Sequence, residues 1–121
     1  MTNPYSAIAA APMGPPRAFG YVNSALGERV MNEVCVSECA AALGYQLVRM
    51  VVRDPSKVDD PVARLINTAR GYNVAAVIIP SLDHVGGDPS EICGVCDVVS
   101  ARTEQTYVCA AAPVDEPDEQ P

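Results

Sequence analysis

Residues 74–91, VAAVIIPSLDHVGGDPSE, decide how this chain is read. Val74-Ala75-Ala76-Val77-Ile78-Ile79 is almost wholly apolar, without polar alternation, as suits a central parallel strand covered on both faces. The run then breaks into a loop holding His84, the single histidine of the chain, beside Asp83, with Gly86 and Gly87 close behind. Asp88-Pro89-Ser90-Glu91 reads as a helix start, with Asp88 as cap, Pro89 as first residue and Glu91 reaching back as in a capping box. Ile92, Val95, Cys96 and Val99 follow on one face and predict a third helix.

Working outward, strand and helix signals alternate. Ala18 to Val22 is a short apolar run, the candidate first strand. From Leu26 to Leu43 the residues Leu26, Val30, Val34 and Ala41 recur near helical spacing, with Met31, Cys35, Cys39 and Ala42 alongside, and Gly44 is a natural C-cap. Tyr45 to Val52 reads as the second strand. Asp60-Pro61 opens the second helix, whose stripe is Val62, Leu65, Ile66 and Ala69, and Gly71 closes it. Thr106 to Cys109 is the expected last strand. The order βαβαβαβ points to an α/β fold with a mainly parallel, four-stranded sheet.

A chain of 121 residues has room for one domain and a single core. Residues 1–17 are expected to be an Ala/Pro-rich flexible leader, 18–112 the α/β domain, and 113–121, PVDEPDEQP, an acidic solvated tail. The core must be aliphatic, because there is no Trp and only one Phe. A net charge of −7, with no run of basic residues, argues against direct nucleic-acid binding. The first residues make a poor signal peptide, and no stretch reaches the roughly 20 apolar residues that cross a bilayer. Five cysteines, an odd number without a secretory leader, favour a reducing cytoplasm.

AFGYVNSA followed by a long helix, then AAVIIPSLDHVGGD, resembles the catalytic domain of the serine recombinases, the resolvase and invertase family. The resemblance spans roughly residues 18–109 and rests on the order of elements and on Leu82-Asp83 directly after the third strand. It implies a resolvase-like, flavodoxin-like doubly wound sheet of order 2-1-3-4. That family carries Tyr-x-Arg-x-Ser at the end of its first strand, where the Ser attacks a DNA phosphate and the Arg steadies the developing charge. Tyr21 matches, but Asn23 stands at the Arg and Ala25 at the Ser, with Ser24 one residue early. In the family's Leu-Asp-Arg-x-x-Arg motif, Leu82 and Asp83 match, while His84 and Gly87 replace the arginines. Asp59 falls near a further family Arg. Phosphoryl transfer depends on positioning and on stabilising negative charge. The resemblance therefore implies a degenerate member with no catalytic residues. The long helix and helix-turn-helix domain that follow in the family are not expected here, since residues 113–121 read as an acidic tail in their place.

Ser24, His84 and Asp83 invite a hydrolase reading, yet consecutive residues diverge and leave nothing to orient the imidazole. A ligand crevice is the better use of Asn23, Ser24, Ser81, Asp83 and His84, since they belong to the carboxyl ends of strands one and three. Cys35-x-x-x-Cys39 and Cys93-x-x-Cys96 are expected on opposite faces of the sheet, as small buried residues. No metal or cofactor is expected. The resulting expectation is a non-catalytic resolvase-like domain, accessory or regulatory, acting through a protein partner or as a homo-oligomer. The alternative is a small-ligand or anion-binding module.

Overall fold

The computed structural model describes residues 15–109. Most of the expected leader and all of the expected tail lie outside the described residues. Arg17, assigned above to the leader, already opens the first strand. Five strands form one sheet in the order β2-β1-β3-β4-β5. They are β1 (Arg17–Asn23), β2 (Gln46–Arg53), β3 (Ala76–Ile79), β4 (Asp97–Ser100) and β5 (Gln105–Tyr107). The first four are parallel and β5 runs antiparallel to β4. The helices are α1 (Arg29–Leu43), α2 (Pro61–Tyr72) and the single turn α3 (Ser90–Cys93), and a 3-10 turn covers Leu82–Val85. The fold is doubly wound and resolvase-like.

Each central strand feeds two cores because successive side chains face opposite ways. Phe19, Tyr21, Val77, Ile79 and Val98 join Leu65 and Ala69 of α2 and Ile92 of α3 on one face. Ala18, Val22, Ala76, Ile78 and Val99 join Val36 and Ala40 of α1 on the other. All four residues of β3 are fully buried, as the unbroken apolar run requires. Phe19 adds an edge-to-face contact with Tyr72, their ring centroids 5.1 Å apart.

Gly20 sets the closeness of α1 to the sheet. A Cβ there would stand 2.7 Å from Val36 Cγ1 and 2.8 Å from Met50 Sδ. Val36 therefore sits in the space a side chain would claim, and this fixes which face of α1 points inward. The buried residues of α1 are Asn32, Val36 and Ala40. The expected apolar face points to solvent instead: Val30 is 63% exposed, Met31 61%, Val34 44% and Leu43 53%. The helix carries apolar residues around much of its circumference, so spacing alone could not choose the buried face.

The expected third helix is also corrected. It ends after one turn, and Val98 and Val99 belong to β4. These two β-branched residues point into the two different cores, which a strand satisfies and a helix face does not. The sheet therefore gains a fifth strand, and the expected last strand becomes the antiparallel edge. Asp60 does cap α2, accepting from the Ala63 N–H at 3.2 Å, with Pro61 behind it. Asn73 rather than Gly71 ends that helix in the left-handed conformation.

Replacing Gly20 by Ala should cost about 1–3 kcal/mol, the usual penalty for overpacking a filled core. Urea unfolding measures it, and an unchanged midpoint would mean that α1 can lift from the sheet freely.

Candidate functional site

The sheet's carboxyl edge is organised by the way β1 ends. The Asn23 N–H donates to His84 Nδ1 at 2.8 Å, toward the β3 side. The next residue turns the other way. The Ser24 N–H donates to the Arg53 carbonyl at 2.8 Å, and its hydroxyl donates to the same oxygen at 3.2 Å. Two consecutive residues are thus tied to opposite neighbours, and a cavity opens on each side.

On the β3 side, Ser81, Asp83 and His84 line a cavity of about 290 Å³ together with the start of α1, Asn32 and Arg102. His84 is only 6% exposed. Burial lowers its pKa below the ordinary imidazole value, and the nearby Arg102 charge lowers it further against the opposing pull of Asp83. A neutral ring accepting at Nδ1 carries its proton on Nε2. Arg102 is held by Asn32, whose Oδ1 accepts from Nη2 at 2.5 Å. Asn32 in turn donates to the Leu26 carbonyl at 3.0 Å.

Of the five residues assigned to a ligand crevice, Ser81, Asp83 and His84 share this cavity. Asn23 supports it only through its backbone, because its side-chain oxygen accepts from the Ala25 N–H at 2.9 Å. Ser24 belongs to the other side. No hydrogen bond joins Ser24 to His84 or His84 to Asp83 among the described residues, so the three do not form a triad. Arg102 and Asn32 escaped the sequence reading. Arg102 follows β4, far along the chain from the loop it approaches, and no local pattern marks it.

Asp88 is corrected too. It lies one residue before the cap position, which Pro89 takes without a side-chain bond. Its carboxylate instead accepts from the Ser90 N–H at 2.9 Å in a local turn, which holds its pKa down.

On the β2 side, Arg53, Lys57 and Arg64 converge with Asp59 and Thr68 around an open cleft of about 600 Å³. No run of basic residues exists in the sequence, yet strand end, loop and helix bring these three together. The buried Tyr21 hydroxyl has no hydrogen-bond partner among the described residues. Burial raises its pKa, and the Arg53 charge works against that rise.

The cysteine pairs are separated by the sheet. Cys93 and Cys96 lie in the core with α2, whereas Cys39 packs against the core under α1. Burial first, then the Cys109 thiol and Asp97, push the Cys96 pKa up to about 12. No group of three or more His, Cys, Asp or Glu side chains suited to a metal occurs among the described residues. No described helix is long and apolar enough to cross a membrane.

No protein-family model matches the sequence, and no curated protein matches it either. Among solved structures, the chain is similar to the N-terminal catalytic domain of TP901-1 integrase. The TM-score is 0.59 at 16% identity, over 74% of this chain and 81% of that one. This likeness supports a recombinase-like catalytic-domain fold. It is a likeness of fold alone, and function must be argued from the sites.

Because His84 is buried and satisfies the Asn23 N–H, its replacement by Ala should cost about 2 kcal/mol or more, from a cavity and an orphaned donor. Asp88→Ala removes an exposed turn contact and should cost less, about 1 kcal/mol at most. Urea unfolding of both variants decides the order.

The lowered His84 pKa means that the unfolded chain binds this proton more readily. Its contribution to stability is therefore present above about pH 6.5 and is lost as pH falls below it. A denaturation series between pH 7 and 5 should show a decline that His84→Ala reduces.

Cys93 and Cys96 should resist a thiol reagent until the protein unfolds, while Cys35 and Cys109 react first. Peptide mapping after timed labelling reads the order.

Proposed function

We propose that this chain is a resolvase-like domain that does not cut DNA and that works through protein contact, its partner being a second copy of itself. The observation that carries the reading is a ridge beside a groove on one face of α1. Val30, Met31 and Val34 stand out from the first half of the helix. Its second half, with Cys39, Ala42 and Leu43, borders a groove of about 560 Å³ floored by Val99 and Ala101. At helical spacing Met31 and Val34 lead into the row that holds Cys35 and Glu38 on the groove wall. A two-fold axis pairs a surface with itself, so a ridge and a groove side by side can each receive the other. Exposed apolar patches of this kind on a helix otherwise cost solubility.

Three features support the non-catalytic half. Ala25 stands where the resemblance expects the nucleophile, and its side chain has no hydroxyl. The Ser24 hydroxyl is spent on the Arg53 carbonyl. His84 and Gly87 stand where two arginines are expected. A second reading, a small-ligand crevice, is favoured by the Nε2–H of buried His84 and by Arg102 at the cavity of about 290 Å³.

Sedimentation velocity tests the first reading. The wild type should dimerise with rising concentration, and Val34→Glu should remain monomeric with an unchanged circular dichroism spectrum. A wild type that stays monomeric at high micromolar concentration overturns self-association. A covalent protein–DNA adduct that disappears in Ser24→Ala overturns the non-catalytic half.

A further inference from the structure

We infer that the cleft between the end of β2 and the start of α2 binds a phosphate dianion, free or as the terminal group of a small molecule, on Arg53, Lys57 and Arg64. The site is independent of the self-association surface, which lies on α1.

The charge distribution carries the inference. The protein has net charge −7, yet three of its eight basic residues line this one cleft. Among the described residues none of the three has an ion-pair partner, the single salt bridge there being Arg29–Glu33. The neighbouring acids make no direct ion pair with the three, although, beside the Ser56 hydrogen bonds, the Lys57 charge does help to lower the Asp54 pKa. Asp54 accepts from the Ser56 N–H at 2.9 Å and from its hydroxyl at 2.7 Å. Asp60 accepts from Ala63 N–H as the cap of α2. Asp59, which lines the cleft, lends its backbone carbonyl rather than its carboxylate to Arg64, at 3.1 Å from Nε.

That last contact orients the guanidinium. With Nε engaged, the two terminal nitrogens of Arg64 remain as donors, the fork that matches a phosphate edge. Arg53 is steadied in a similar way, with Nη1 on the Val52 carbonyl at 3.3 Å. Lys57 supplies a point charge from the loop. Three cations share the cleft with the single carboxylate of Asp59, so their mutual repulsion is only partly offset, and a bound dianion removes the rest of that cost.

Size and field select a small ligand over a polyanion. A dianion inside the cleft feels the local cluster, because charges beyond a Debye length of about 8–10 Å are screened. A nucleic-acid duplex would extend over the acidic remainder of the surface and be repelled there.

Isothermal titration with inorganic phosphate, pyrophosphate and a simple sugar phosphate tests this at constant ionic strength. Saturable binding in the millimolar range or tighter is expected, with each cation removed weakening it about tenfold. Lys57→Ala and Arg64→Ala alter exposed side chains and should leave the unliganded melting temperature unchanged. Arg70→Ala, on the same helix but outside the cleft, should bind like wild type. Tighter binding of the sugar phosphate than of inorganic phosphate assigns the dianion to a small molecule, and the reverse assigns the free ion. No saturable binding, binding that survives loss of Lys57 and Arg64 together, or a DNA duplex that outcompetes pyrophosphate at physiological salt would each overturn the inference.

Discussion

β1 is held on four sides, between β2 and β3 within the sheet and between α1 and α2 across it, and everything else in the structure accommodates that position. A strand so placed can present only apolar side chains along its length, and Phe19, Tyr21 and Val22 meet the requirement in alternation. The one position without a side chain, Gly20, lets Val36 of α1 come within a distance that a Cβ would forbid. The rotation of α1 about its axis follows from this contact. So does the exposure of its other apolar residues, because a helix seated on Val36 and Ala40 cannot also bury Val30 and Val34.

The same strand organises the polar edge. Once β1 leaves the core, its next residues still alternate in direction. Asn23 meets His84 on one side and Ser24 meets Arg53 on the other. The carboxyl edge is therefore two cavities rather than one crevice. The first is bounded by a neutral imidazole and by Arg102 anchored on Asn32, and the second by three cations from separate elements. A serine committed to a backbone carbonyl sits between them. Burial acts on both sides of this edge, lowering the His84 pKa and raising that of Tyr21, because each charged form would lose hydration.

The fold shared with an integrase catalytic domain, at 16% identity, illustrates how little of a fold's chemistry the fold itself dictates. Packing asks only for apolar residues of suitable size at β1, β3 and α2, and many sequences meet that demand. The residues at the strand ends are free of it. There, the loop after β3 carries His84 and Gly87 and brings no cation to the edge, and the cations come from Arg53, Lys57, Arg64 and Arg102.

By itself the sequence determined the α/β class, the parallel central strands, both ends of α1 to within a few residues, and the cap of α2 by Asp60. Each depends on local signals: unbroken apolar runs, helical spacing, and Pro or Gly at a boundary. It also placed Ser81, Asp83 and His84 together, because they are neighbours in the chain. Tertiary structure alone decided the rest. Val98 and Val99 form a strand because β3 offered an open edge and two cores needed filling, although their spacing also suits a helix. The buried face of α1 was chosen by Gly20, which lies in another element. His84 became a buried acceptor because Asn23 came to it across the sheet. Arg53, Lys57 and Arg64 gather only because β2, its loop and α2 fold around one cleft, and Arg102 reaches the His84 cavity only because β4 lies beside β3; no run of basic residues encodes either arrangement.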